Sequence, residues 1–510
     1  MSLDAAFSIA RSGLAATQRA LAQASQNIAN AGTEGYTRKT VSNVSADSAG
    51  QPLGVRSAEA RRDVDLALLA ERDGRGAAAA AASARETLLA GIEAVQGRPE
   101  DATSLGNALG SLREAFTTLR ANPADPELVR AALNAAQSVA NRMQDAGQAI
   151  QTARQQAQDG IVTEVGRAND ALRQIAELTR LISANRGAGR TTADLEDKRD
   201  LAISSLSETL PVRPLRQPDG GLVLMGRNGL TLPLPSAGED ILATDAAVAG
   251  PSSYYGTGGS LPGVRIGPLD VTRRILGGRL GEYVALRDQV LPRMQAEIDV
   301  SAVELAGRLD AQGLRLFTDA SGNIPDRTLG YVGGGYAGFA QAIRVNSAVE
   351  NNPAALRNGT HAVVAVTGGP SAFAPNPAGG PAGFVTLLDR VLDHSLGSTA
   401  SDGNAWPGFP SGGLGPDGSL TSAIANARNL EDYATQLVRV HTEARAEATT
   451  AKDNATSMQQ GIAARISKQS GVDSDAEMAA MVQLQNAYAA NARVMSTAQA
   501  MWDALMGAVR

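Results

Sequence analysis

The chain has 510 residues, a formal net charge of −6, 43% hydrophobic and 19% charged residues, but only 3% aromatics. That length suits about three domains and that apolar content suits packed cores built from Ala, Leu and Val rather than disorder. An acidic balance argues against nucleic acid as a partner. The absence of cysteine excludes disulfides, thiolate metal sites and cysteine nucleophiles.

The N-terminus, Met1 to Leu14, lacks a basic region followed by an unbroken apolar run, so no secretory signal is expected there. No stretch approaches about 20 uninterrupted apolar residues, so no membrane span is expected either. Instead Phe7, Leu14, Leu21 and Ile28 recur every seven residues. Leu3, Ala10, Thr17, Ala24 and Ala31 form a second, mostly small row, which makes the segment an amphipathic helix with a heptad seam. Gly32 and the Thr33-Glu34-Gly35 that follows close it.

Further long helical patterns follow. Leu105, Leu109, Leu112, Phe116 and Leu119 alternate by four and three. Ile161, Val165, Ala168, Leu172, Ile175 and Ile182 do the same, as do Leu291, Met294, Ile298, Ala302, Leu305 and Leu309. Residues 418–465 are polar and alanine-rich, anchored by Ile424, Leu430, Tyr433 and Leu437. Two segments, 211–278 and 313–417, are dense in glycine and proline. Within them Leu222–Met225 and Leu230–Leu232 flank Asn228-Gly229, a signal for a type I′ hairpin, and His361–Thr367 reads as a strand. The C-terminus mirrors the start. Met481, Tyr488, Met495, Trp502 and Val509 are spaced by seven, with Leu484, Asn491, Ala498 and Leu505 beside them. Ser474 is a candidate N-cap, with Glu477 as its capping-box partner.

No catalytic constellation stands out. His361, His394 and His441 are isolated and read as ordinary surface or core histidines. No lysine follows a glycine, so there is no phosphate-binding P-loop. Asp319-Ala320-Ser321-Gly322-Asn323 faintly resembles a calcium loop, but Ile324 stands where its glycine belongs and Gly330 where its last carboxylate belongs, so a polar turn is the better reading. No cofactor and no metal site are expected, and the chain does not read as an enzyme.

Both ends carry motifs. Ser12-Gly13-Leu14, Asn27-Ile28-Ala29-Asn30 and Thr33-Glu34-Gly35-Tyr36-Thr37-Arg38 resemble the N-terminal signature of bacterial flagellar rod, hook and hook-associated proteins. The run from Gln485 through Tyr488 and Asn491 to Thr497 resembles their C-terminal signature. Arg38 and the Gly471–Asp475 segment are similar to the hook-associated protein 1 family, as are Asp197-Lys198-Arg199-Asp200-Leu201, Gly278–Gly281 and Phe317-Thr318-Asp319. Ala476 departs from the family, which usually carries a second acidic residue there. A hook or distal-rod protein of the same superfamily is the nearest alternative. An enzyme carried on the flagellum and a cytoplasmic coiled-coil scaffold are more distant ones.

The resemblance implies a mainly α fold with a β-rich insertion. Terminal coiled-coil helices (1–45 plus 466–510) would pair in an inner-tube assembly domain. A long-helix body (46–210, 279–312 and 418–465) would follow, with an outer β-rich domain (211–278 and 313–417). It also implies export through the flagellar type III apparatus without a cleaved signal, an extracellular place at the hook–filament junction, and a structural role joining filament to hook. Implied partners are copies of the chain in a ring, the hook protein, the second junction protein (hook-associated protein 3) and a cytoplasmic export chaperone. Membrane and nucleic acid are not among them. The expected assembly residues are Phe7, Leu14, Leu21, Ile28, Asn30, Gly35, Tyr36, Arg38, Met481, Leu484, Tyr488, Asn491, Met495, Trp502 and Leu505. Gly35 would turn the chain and Tyr36 anchor that turn, while Asn491 would set register at some cost in stability. The expected chaperone surface is Met478, Met481, Met495, Met501, Trp502 and Met506, soft and adaptable. The terminal helices are expected to fold only on assembly.

Overall fold

The structure, a computed structural model, describes residues 3–48, 51–236, 238–424 and 426–508. Val509, expected to end the C-terminal seam, lies outside them, as does the side chain of Leu3. The chain is mainly helical with a few small sheets and a long pair of helices at its C-terminal end.

Helix α1 (Leu3–Ala29) leads through a turn into β1 (Lys39–Thr40), the hairpin β2 (Asn43–Ser48) and β3 (Gln51–Ser57), and β4 (Arg61–Arg62). β1 pairs with β4, and β2 with β3 around an irregularity at Ala46/Asp47, all antiparallel. β2 runs through the expected boundary at 45/46, and β3 packs on α1. The long helices α2 (Leu66–Gln96), α3 (Leu105–Ala121), α4 (Pro126–Gly187) and α5 (Ala193–Thr209) follow. Three of them start at side-chain caps. Asp65 accepts from Ala67 and Leu68, Ser104 from Asn107, and Asp125 from Glu127 with Pro126 behind it. Each cap satisfies amides that an unpaired helix start would leave bare. At 1.5 Å per residue α4 is about 93 Å long and forms the spine of the molecule.

After α5 come β5 (Val212–Arg216), β6 (Leu222–Gly226) and β7 (Thr231–Leu232), then β8 (Leu242–Ala243), β9 (Arg265–Ile266) and β10 (Leu269–Asp270). The β6–β7 connection differs from the type I′ expectation. Leu224 pairs with Leu232 and Met225 with Thr231, and the Gly226 amide donates to the Leu230 carbonyl. The loop is therefore Arg227–Gly229, with Gly229 at φ +70°. This is a three-residue connection closed by a left-handed glycine, the next commonest hairpin solution.

Helix α6 (Gly278–Ala285) continues into α7 (Leu291–Asp310) through a π-turn at Leu286–Val290. Pro292 lacks the N–H that an α-turn would bond to Asp288, and the wider turn accommodates it. Segment 313–417 holds β11 (Phe317–Thr318), β12 (Arg344–Val345) and the short helices α8 (Gly330–Gly333), α9 (Phe339–Ala342), α10 (Ser347–Asn351), α11 (Ala355–Asn358) and α12 (Thr386–Arg390). The strand expected at His361–Thr367 is not formed. Val363 makes a single antiparallel bridge to Phe373, while Val364 and Val366 are 80% and 61% exposed with no strand beside them. Asp319 closes a polar turn by accepting from the Ser321 and Asn323 amides. The last two helices are α13 (Leu430–Ser470) and α14 (Ser474–Ala508). α13 begins later than the pattern from 418 implied. Asn429 caps it by accepting from Asp432, and Ile424 is buried from the loop before it.

The apolar interior divides along α4. Its first half packs with α2, α3, α7, α13 and the segment 314–396, in a core holding Leu109, Phe116, Met143, Phe317, Leu356 and Leu388. From Ile161 onward it packs with α5, β5–β7 and the segment up to Leu280. The two segments expected to make one β-rich domain thus contribute to different cores. They meet at Gly338, whose absent Cβ leaves room for Pro251, and near Arg154, which donates to the carbonyls of Gly250, Pro251 and Ser253. Asp299, fully buried in α7, accepts from the Gly338 and Ala340 amides, Tyr331 Oη and Gln295 Nε2. It organises the second insertion from inside the first core. His441 is a satisfied core histidine, 2.9 Å from both Glu297 Oε2 and Gln96 Oε1.

Candidate assembly interface

α1 and α14 pair antiparallel. Asn27 faces Glu477, Gln18 reaches Tyr488 Oη at 3.5 Å, and Gly13 lies under Asn491. A Cβ on Gly13 would sit 3.2 Å from Asn491 Oδ1, so the seam asparagine rests directly on the α1 backbone. The neighbouring Ser12 serves the other side of α1. Its Oγ accepts from the Val55 amide of β3 at 3.0 Å and donates to the Ile9 carbonyl. Gly54, at φ +110°, permits this approach, because a Cβ there would fall 2.1 Å from Ser12 Oγ.

The burial pattern inverts the expected seam. Of the small row, Ala10, Thr17 and Ala24 are buried, with Ala16, while Ala31 is exposed; α1 packs on both α14 and β3. Phe7, Leu14, Leu21 and Ile28 are each only half-buried, as are Met481, Leu484, Tyr488, Asn491 and Met495. Small residues let the elements approach closely, and that approach leaves the large row projecting at the rim. Trp502 and Leu505, further along α14, are 44% and 56% exposed. Among the expected chaperone residues, Met478, Met501, Trp502 and Met506 are exposed, and Met481 and Met495 half-buried.

At its base the pair is bound to the body by a polar node. Asn27, 1% exposed, donates to the Lys39 carbonyl (2.9 Å) and Glu477 Oε2 (3.1 Å). It accepts from Tyr36 Oη (2.9 Å) and the Lys39 amide (3.2 Å). Arg38 Nε meets Glu477 Oε1 at 2.6 Å, and the Arg38 amide donates to the Ser470 carbonyl. Thr37 donates twice to Asp197. Lys39 Nζ pairs with Asp197 (2.8 Å) and Asp194 (3.0 Å) while lying 3.3 Å from the centre of the Tyr36 ring, a cation–π contact. Burial pulls the Lys39 ammonium down, but its bonds to Asp197 and Asp194 outweigh it and hold it above the ordinary lysine range. Burial raises the Tyr36 phenol, with Lys39 opposing. Arg62 extends the node to Glu196, Asp197 and Asp200.

Gly35 has φ +76° and makes the turn expected of it, and the half-buried Tyr36 has its hydroxyl satisfied. Asn30 does not take part. Its amide donates to the Gln26 carbonyl at the end of α1, and the buried asparagine of the motif is Asn27. The expected capping box is also corrected. Asp473 caps α14 by accepting from Asp475 and Ala476, which frees Glu477 to turn toward Asn27 and Arg38. Asn27, Lys39, Asp197 and Glu477 are the residues that sequence reasoning passed over. The available signal was that Lys39 is one of few lysines and that Asp197 lies in an interior motif already noted. Among the described residues no group of His, Asp and Glu could hold a metal, and no helix is long and apolar enough to cross a membrane.

These elements coincide with family matches along the chain. Residues 7–37 match the flagella basal body rod protein family, and residues 465–508 the C-terminal family of flagellar basal body rod FlgEFG proteins. Residues 90–324 match the helical domain of flagellar hook-associated protein FlgK. Flagellar hook-associated protein 1 of Salmonella typhimurium is 28% identical over 324 residues, covering 62% of this chain and 57% of that protein, so the match spans little more than half of the relative. That of Bacillus subtilis is 23% identical over 542 residues, covering 97% and 96%. A solved structure of the flagellar hook junction protein FlgK from Burkholderia pseudomallei is 27% identical, covering 50% of this chain and 45% of that one, with a TM-score of 0.40. Rod-type segments at both ends enclose a match to a hook-associated helical domain in the order that resemblance to the motifs implied, and the chain is similar along its length to flagellar hook-associated protein 1.

Proposed function

We propose that this chain is a structural component of the bacterial flagellum at the hook–filament junction, joining the filament to the hook, and that it is not an enzyme. The observation that carries the reading is the unfilled seam. The rod-type segments form one helix pair whose small row is buried and whose large row, Phe7, Leu14, Leu21, Ile28, Met481, Tyr488 and Met495, is left half-covered. Such a row gains its remaining burial against neighbouring chains, at roughly 25 cal/mol per Å² of apolar surface removed from water. Those neighbours are copies of this chain in a ring, the hook protein on one side and hook-associated protein 3 on the other. The pair lines the inner tube, the helical body surrounds it, and the segments 211–278 and 313–417 face outward. The chain travels through the flagellar export apparatus, with the exposed methionines and Trp502 of α14 covered by a cytoplasmic chaperone beforehand. The helical-domain match at 90–324 favours this over a hook or distal-rod protein.

Electron microscopy of flagella from a deletion strain tests the reading. The expected result is complete hooks without filaments, with flagellin released into the medium. Normal filaments would overturn the assignment, and missing hooks would move the chain to the hook or rod class.

A further inference from the structure

We propose that Asn27 and Glu477 are positioning residues, forming with Arg38 and Lys39 a node that is complete in the unassembled chain and fixes the register from which both terminal arms grow. The inference rests on the assembly role above and adds where order in the free chain begins. Asn27 has two amide donors and an oxygen able to accept twice. All are used, toward the Lys39 backbone, Tyr36 Oη and Glu477. Glu477 is 3% exposed, and its carboxylate is met by both Asn27 and Arg38. Nothing in this set requires a second chain. The node is also tied to the body twice, through Thr37 and Lys39 to Asp197 on α5 and through the Arg38 amide to the Ser470 carbonyl at the end of α13.

The arms beyond the node are built differently. From Leu3 to Ala24 and from Ala479 to Ala508 the buried side chains among the described residues are Ala10, Ala16, Thr17, Ala24 and Ala498. Every larger apolar side chain described there is half-buried or exposed. Small side chains give little hydrophobic stabilisation, so these helices do not hold themselves together as the node does. Register nevertheless carries outward from it, because the contacts Gln18 to Tyr488 and Gly13 to Asn491 step away from Asn27 and Glu477 in opposite directions. A slip of α14 by one turn would withdraw the carboxylate from both Asn27 and Arg38 and leave a buried charge unmet, which proteins strongly disfavour. The node therefore lets the arms remain open in the free chain while admitting one alignment when they close against neighbours.

Amide hydrogen exchange on the purified, unassembled full-length chain reads this directly. Residues 24–39 and 472–480 should be protected and residues 5–20 and 484–508 should exchange rapidly. Asn27→Asp, which sets two carboxylates face to face, should raise exchange across 472–480 by about tenfold, the scale expected when one buried hydrogen bond is left unmade. Amides of α3 and α4 should not change, which shows that the body remains folded. Glu477→Gln in the Asn27→Asp background exchanges the carboxylate and amide roles and should recover part of the protection. Node amides exchanging as fast as the arms, arms as protected as the node, or protection indifferent to Asn27→Asp would each overturn the proposal. A chain that fails the deletion-strain test can still show this exchange pattern, so the two readings fail separately.

Discussion

Arg38 Nε and Glu477 Oε1 lie 2.6 Å apart although 439 positions separate them in sequence, and the arginine side chain is 45% exposed where the glutamate is 4% exposed. A solvent-facing cation thus neutralises a buried carboxylate. Truncating Arg38 to alanine removes the cation and leaves the carboxylate with Asn27 alone, at a local cost of about 1–3 kcal/mol. The expected outcome is faster tryptic cleavage at Arg465 and Lys468, next to the loosened α13–α14 junction, with α4 unaffected. Adding Glu477→Gln to Arg38→Ala should cost less than the sum of the two single changes. Strict additivity would mean that the pair does not interact.

Lys39 and Asp197 are 2% and 6% exposed at the side chain. Lys39→Met breaks a buried pair from one side, which typically destabilises by about 3–5 kcal/mol. Arg62 remains 3.1 Å from Asp197, so the lower end of that range is expected, read as a shift in the urea midpoint at constant slope. An unchanged midpoint would show that Lys39 contributes only at the surface.

Asp299 gives a pH dependence. Burial is the largest influence and pushes its carboxyl up from 3.8 to about 6, against the bonds from Ala340, Gly338, Tyr331 and Gln295 that pull it down. A folded-state pKa above the unfolded one means that the folded chain binds more protons in that window. The residue's contribution to stability is therefore fully present below about pH 4 and lost as pH rises through about 6. The stability of the natural chain relative to Asp299→Asn should rise as pH falls from 7 toward 4. A difference that stays flat across that range would contradict the shift.

Gly54→Ala places a Cβ 2.1 Å from Ser12 Oγ at a residue with φ +110°. The left-handed backbone alone costs about 1–2 kcal/mol for a residue with a Cβ, and the contact forces β3 away from α1. The Val55 amide should lose its protection from exchange, and Ser12→Ala in the same chain should not restore it, because the oxygen that clashes is also the acceptor of that amide. Ser12→Ala by itself should leave the hairpin docked.

The long helices were legible because apolar spacing and caps agree over many turns, as in Leu105–Leu119 and Ile161–Ile182, where every apolar position of the pattern is buried. The paired ends were legible for the same reason, and the turn at Gly35 because only glycine suits φ +76° readily. What was hidden depended on contacts distant in sequence. Asn27 and Asn30 look alike in the motif, and only the arrival of Glu477 from the far end distinguishes the buried one. Glu477 itself fits a capping box until Asp473 is seen to hold the cap. Heptad spacing identified two rows in α1 and pointed to the large one as the covered one; the small side chains of Ala10, Thr17 and Ala24 are buried instead, which spacing alone does not reveal. His361–Thr367 has strand composition, and no neighbouring strand is placed to pair with it.

The half-covered large row is the central feature, and Leu21 lies in its middle. Leu21→Asp should leave the thermal unfolding of the purified chain unchanged within about 0.5 kcal/mol, as for a surface substitution. When it replaces the natural chain in a deletion strain, electron microscopy should show bare hooks without filaments. Filaments of normal length and number on those hooks would contradict the assignment of this row to assembly.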